Sequence, residues 1–193
     1  MKKELEISVL YGSVRSSRQG IKAALWVVKK LEERGHKVTL VDPMKEKLPL
    51  LDKMYKEYKS KAPKNLTRLA KLFKKSDALV VVSGEYNHSI PPALSNLIDH
   101  FMESYFWKPS GIVCYSNGNF GGVRAAMQLR ALLPEVGMPT IPSIFPISKV
   151  QDSFDEQGNS IDKAYEKRIV RFLDELEWYA EAMKVQRKNG VPY

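Results

Sequence analysis

A doubly wound α/β sheet is predicted by three features of this sequence. Short β-branched runs alternate with amphipathic stretches, the runs are apolar on both faces, and polar loops containing glycine follow several of them. The stretch from Leu79 to Phe101 shows all three. Leu79-Val80-Val81-Val82 is an uninterrupted strand run that ends at Ser83-Gly84, and polar residues from Glu85 to Ser89 follow. Pro91-Pro92 then keeps Ile90 extended and pre-sets φ for a first helical turn. Leu94, Leu97, Ile98 and Phe101 recur at i, i+3, i+4 and i+7, which is one buried helical stripe. In open α/β sheets, a polar loop at the carboxyl end of a central strand is where ligands bind.

The other elements fall into place around this unit. Leu5 to Leu10 reads as the first strand, followed by the loop Tyr11 to Gly20 and a helix whose expected stripe is Ile21, Leu25, Val28 and Leu31. Gly35 suits the left-handed cap that ends such a helix. Lys37 to Asp42 is a second strand. Residues 43–63 show no clear periodicity, and a functional lid and a mobile insertion are both open readings. Leu66, Leu69, Ala70 and Phe73 mark the next helix, which leads into the Leu79 strand. Gly111 to Ser116 is a fourth strand, and Ala125, Ala126, Leu129, Leu132 and Leu133 mark the helix after it. A fifth strand within 136–147 is broken by Pro139, Pro142 and Pro146, which places it at an edge. Ile169, Phe172, Leu173, Leu176, Ala180 and Met183 form the stripe of a last helix. Five parallel strands in the order 2-1-3-4-5 put the loops after strands one, three and four around one crevice.

At 193 residues the chain has the size of one domain, spanning 1–193. A hydrophobic content of 44% with 27% charged residues fits a globular protein and excludes a disordered or disulfide-stapled class. No segment has the apolar length of a membrane span and no secretory signal is evident, so a cytoplasmic protein is expected. The net charge of +9 favours anionic partners. Nucleic acid is disfavoured because helix-turn-helix, zinc-finger and aromatic-basic patterns are missing. The single cysteine, Cys114, lies in an apolar run and reads as a buried hydrophobe.

The first loop offers Ser13, Ser16 and Ser17, Arg15 and a helix N-terminus, a donor set suited to one phosphate; a serine-rich helix cap is the alternative. It has neither the Walker A ending nor the dinucleotide fingerprint. The second loop suits a flat heterocycle, since Gly84 allows close backbone approach, Tyr86 can pack on a ring and Asn87 can pair with its edge. Glu85 and His88 invite an acid-base assignment, but no nucleophile accompanies them, and Asp99 and His100 read as outer-face residues. No catalytic side chain and no metal-ligand spacing emerge.

Three loops in order carry a family resemblance: Gly12-Ser13-x-Arg15; Glu85-Tyr86-Asn87-x-Ser89-x-Pro91 with Leu94-x-Asn96-x-x-Asp99; and Gly121-Gly122-x-Arg124 with Leu129-Arg130. Leu48-Pro49-Leu50 and Phe154-Asp155-x-x-Gly158 extend it over nearly the whole chain. The sequence resembles the NADPH-dependent FMN reductase family of flavodoxin-like proteins. The resemblance implies a flavodoxin-like three-layer sandwich that binds FMN non-covalently. It implies Ser13, Arg15, Ser17 and Gln19 at the phosphate end, Gly84, Glu85, Tyr86 and Asn87 along the isoalloxazine, and Ser116, Gly118 and Gly121 on its other side. It also implies NADPH as hydride donor, with Arg18 and Arg124 available to its 2′-phosphate, and a free flavin, quinone, azo compound or metal oxyanion as acceptor. A homo-dimer or tetramer is expected, with Tyr105, Phe106 and Trp107 at the interface. The alternatives are a one-electron flavodoxin-like carrier and a non-catalytic flavin-fold binding protein.

Overall fold

The computed structural model describes residues 4–193. Five strands, β1 (Glu6–Tyr11), β2 (Lys37–Val41), β3 (Ala78–Gly84), β4 (Ser110–Tyr115) and β5 (Thr140–Ile147), pair in parallel in the order β2-β1-β3-β4-β5. The helices are α1 (Gly20–Glu33), α2 (Pro43–Glu46), α3 (Lys64–Lys75), α4 (Pro92–Asp99), α5 (Val123–Glu135) and α6 (Lys163–Lys188).

Alternation along β3 builds two cores. Ala78, Val80 and Val82 face one way and join α1 and α6; Leu79 and Val81 face the other and join α3, α4 and α5. Every residue of β3 is buried, as a central strand covered on both sides requires. The expected order and strand pairing are therefore observed, and β5 is an edge strand with Pro142 and Pro146 inside it.

Three expectations change. In α1, Leu25 is half exposed, and Ile21 and Val28 are only partly buried; the inward face is Ala23, Ala24, Trp26, Val27 and Leu31. The two alanines leave room for the helix to approach the sheet, and Trp26 fills the gap beside them against Phe145 and Phe154, with ring centroids 5.6 and 5.7 Å away. The bulkier aliphatic stripe thus lost to a face of mixed sizes.

His100 is fully buried rather than outward-facing. The cause is the 43–63 segment, which folds over the end of α4: Tyr55 N–H donates to the His100 carbonyl at 2.8 Å, and His100 Nε2 lies 3.2 Å from the Pro49 oxygen. That segment holds α2 and a 3-10 turn at Tyr55–Lys61, and Leu48, Tyr55 and Tyr58 pack on the core. Asn96 clamps it by donating to the Pro49 carbonyl and accepting from Leu51 N–H, each at 2.8 Å.

The aromatic group at 105–107 divides. Tyr105 is core, while Phe106 and Trp107 meet Tyr193 at centroid distances of 5.7 and 5.0 Å. Trp107 precedes β4, so it sits at the amino end of the sheet, opposite the end where loops follow β1, β3 and β4.

Candidate active site

The three expected loops do meet at the carboxyl ends of β1, β3 and β4. They enclose a cleft of about 260 Å³. Of the residues expected there, Ser13, Arg15, Ser17, Gln19, Gly84, Glu85, Tyr86 and Ser116 line it. Asn87, Gly118 and Gly121 do not.

Each wall has a local reason for its shape. After β1, Gly12 N–H donates to the Val82 carbonyl at 3.0 Å and extends the ladder by one residue. Ser13 is buried, and its hydroxyl lies 2.8 Å from that of Tyr86, joining the first loop to the second. Arg15, Ser16 and Ser17 are exposed. Helix α1 then begins at Gly20 with no side-chain cap and no acidic residue in its first turn. Its first N–H groups and the positive end of its dipole therefore face the cleft unopposed, a setting that favours an anion.

The second loop is a tight hairpin. Tyr86 and Ser89 exchange backbone hydrogen bonds of 3.0 and 2.9 Å, and Asn87 and His88 between them have φ of 49° and 64°. Positive φ at both central positions is the mark of a type I′ turn, for which asparagine is well suited. Asn87 and exposed His88 thus serve the turn. Glu85 turns toward α5 and accepts from Arg124 N–H at 3.1 Å and from the Arg124 guanidinium at 3.3 Å. This carboxylate caps the helix N-terminus.

In the third loop Gly121 and Gly122 have φ of 61° and 79°, and a Cβ on Gly122 would stand 2.6 Å from both N and O of Tyr115. The glycine pair lets this turn lie against the end of β4, which explains why Gly121 stays behind the cleft wall.

Sequence reasoning missed Tyr115, Gly20 and Val150 as lining residues, and Arg18, expected at a 2′-phosphate, lines this cleft as well. In the sequence Tyr115 reads as strand, yet its ring reaches across the cleft floor between Gly20 and Gly84. Its hydroxyl donates to Tyr11 at 3.2 Å, and burial pushes both phenols above their usual pKa, so they stay protonated donors. A large aromatic ending a buried strand directly before Ser116 was the available signal. Cys114, one residue earlier, is buried and its thiol is pushed up to about 12 by burial, which keeps it inert.

The two arginines expected to read a 2′-phosphate are both engaged. Arg18 forms a two-pronged pair with Asp42 at 2.6 and 2.5 Å, and Arg124 is bonded to Glu85 and lies over Phe120. The expected bias toward NADPH therefore draws no support from either side chain as placed here.

Comparison with known proteins decides the class. The sequence profile of the NADPH-dependent FMN reductase family matches residues 5–152. The chain belongs to the NADPH-dependent FMN reductase family. Within that setting, it is 27% identical over 190 residues to an NAD(P)H-dependent FMN reductase of Pseudomonas aeruginosa, covering 95% of this chain and all of that one. It is 30% identical over 138 residues to a quinone reductase of Escherichia coli, covering 69% and 71% of the two chains. Among solved structures it resembles FerB, a flavoenzyme NAD(P)H:(acceptor) oxidoreductase from Paracoccus denitrificans, with a TM-score of 0.77 at 24% identity over 93% of this chain and 98% of that one. A flavodoxin from Pseudomonas aeruginosa matches at a TM-score of 0.54 and 16% identity, covering 91% and 98%. Both structural likenesses speak for the flavodoxin-like fold.

The cleft suits the family's cofactor on its own chemistry. An uncapped helix start, exposed hydroxyls and a guanidinium outside any ion pair among the described residues form the donor set a phosphate monoester needs. The adjoining walls at Gly84, Tyr86 and Tyr115 are flat and aromatic.

Proposed function

We propose that this protein is a flavin-dependent NAD(P)H oxidoreductase built as one flavodoxin-like domain, holding FMN with its phosphate at Ser13, Arg15, Ser17 and Gln19. Gly84, Glu85 and Tyr86 would flank the isoalloxazine on one side and Ser116 on the other. The uncapped, acid-free start of α1 beside exposed Arg15 carries this reading. When bound, FMN supplies the two-electron chemistry that links hydride loss from the nicotinamide to reduction of an acceptor. Quinones are the favoured acceptors, given the quinone reductases among the relatives; free flavin, azo compounds and metal oxyanions belong to the same proposal.

The chain's own part is to bind, orient and donate hydrogen bonds. Arg15, the loop hydroxyls and the α1 amides hold the phosphate. Tyr86, steadied by Ser13, and Tyr115, steadied by Tyr11, fix the two ring-facing walls. Glu85 is committed to α5 and His88 to an exposed turn, which leaves no paired acid and base at the cleft.

A cytoplasmic homo-oligomer is part of the proposal. No helix among the described residues is long and apolar enough to cross a membrane. Exposed Val14 and Leu50 border one groove with Pro43 and Pro92, beside the first loop, and support an interface there as an alternative to the one expected at Trp107.

Titration of the apoprotein with FMN and with riboflavin tests the assignment. FMN should bind far more tightly, and Arg15→Ala should weaken it by about 1–3 kcal/mol through loss of a charge-assisted contact. Equal affinities for the two flavins would refute the phosphate site.

A further inference from the structure

We propose that Arg18 is a positioning residue, a strap that ties the first loop to the end of β2 through Asp42, and that Arg15 alone supplies the guanidinium for the anion. The inference rests on the reading of that loop as a phosphate site and goes beyond it by dividing the work between two arginines three residues apart.

Arg18 is held on three sides. One nitrogen donates to both the Ser13 carbonyl at 2.9 Å and Asp42 Oδ1 at 2.6 Å, and the other donates to Asp42 Oδ2 at 2.5 Å. Its guanidinium carbon stands 5.2 Å from the centroid of the Tyr11 ring. The Asp42 side chain is only 3% exposed and the Arg18 side chain 13%. Arg15 is exposed and outside every ion pair among the described residues, and its own N–H donates to Ser13 Oγ at 3.4 Å.

The energetic comparison favours keeping Arg18 where it is. Turning it toward a phosphate would strand a buried carboxylate, which costs more than one additional contact to an exposed phosphate returns. The fork-to-carboxylate geometry is also specific to arginine, since lysine offers a point charge without the planar pair of donors. Asp42 itself is anchored, accepting from Met44 N–H at 3.1 Å as the cap of α2. The loop after β1 is thus tied on one side to β2 by Arg18–Asp42 and on the other to the β3 loop by Ser13–Tyr86. Both ties run between the chain's own side chains, an arrangement that would pre-organise the loop for binding.

The test is a fluorescence titration of apoprotein with FMN and riboflavin, in the parent, Asp42→Asn and Arg18→Lys, with circular dichroism to follow folding. Asparagine keeps a helix-cap acceptor and lysine keeps the positive charge. Each variant should bind FMN about 10-fold more weakly while riboflavin affinity changes little, as loss of a buried charge-assisted pair loosens the phosphate loop. The Asp42→Asn result is the sharper one, because removing a negative charge near a phosphate would otherwise tighten binding. Tighter or unchanged FMN binding in either variant would make Arg18 a ligand or a bystander and overturn the strap. An equal fall for both flavins would assign the pair to general stability and overturn it too. A parent that does not distinguish FMN from riboflavin would refute the phosphate site itself, and the strap with it.

Discussion

Tyr115 closes directly over Gly20: a Cβ at position 20 would lie 2.0 Å from the ring's Cζ. The ring has little room to yield, since Gly84 backs it at 3.0 Å from an equally hypothetical Cβ and Tyr11 stacks beside it. Gly20→Ala should therefore destabilise the apoprotein by about 1–3 kcal/mol, as overpacking a filled site does. Adding Tyr115→Ala should recover part of that loss, so the two changes combine at less than the sum of their separate costs. Denaturant unfolding of the single and double variants gives the answer, and strict additivity would mean that the two residues do not compete for space.

The same pair shows why the fold was more legible than the site. Strand order followed from β-branched runs and helical stripes, patterns that hydrophobic burial writes into neighbouring residues. Gly20 and Tyr115 are ninety-five positions apart, and nothing local signals that one must be small because the other is large. Arg18 and Asp42 were hidden likewise: an arginine near serines reads as a phosphate ligand until its carboxylate partner, placed by β2, appears beside it. His100 was misread because the segment that buries it has no period of its own. Ser13, Arg15 and Tyr86 were legible because their loops follow strands in sequence as in space.

Glu85 joins the β3 loop to the N-terminus of α5. Glu85→Ala removes both its bonds to Arg124 and the helix cap, and should cost about 1–2 kcal/mol. Thermal unfolding at low ionic strength is the suitable measurement. A change within a few tenths of a kcal/mol would show that solvent replaces the carboxylate at no cost.

Lys108 gives a pH signature. Buried and donating to the Ser104 carbonyl at 3.0 Å, its amine is pushed down to about 8 by desolvation. Between about 8 and the ordinary lysine value, the unfolded chain binds more protons than the folded one, so this group's contribution to stability rises with pH across that window. Lys108→Met should remove the effect. The parent's stability relative to the variant should therefore be lowest below pH 8 and improve as pH climbs toward 10. A difference that stays flat, or falls, would show that Lys108 keeps an ordinary amine.

Leu50 is 85% exposed while both residues flanking it are clamped by Asn96. If that rigid apolar tip meets a second copy, Leu50→Glu should lower the mass measured by light scattering, and Trp107→Asp, at the opposite end of the sheet, should not. The reverse pattern would return the interface to the amino end.

Anaerobic mixing of the FMN-loaded protein with NADPH or NADH, followed by visible absorbance, shows whether nicotinamide reduces the bound flavin. The oxidised flavin spectrum should fade with at least one nicotinamide and return when a quinone is added. A flavin that stays oxidised for minutes with both donors would contradict the oxidoreductase reading.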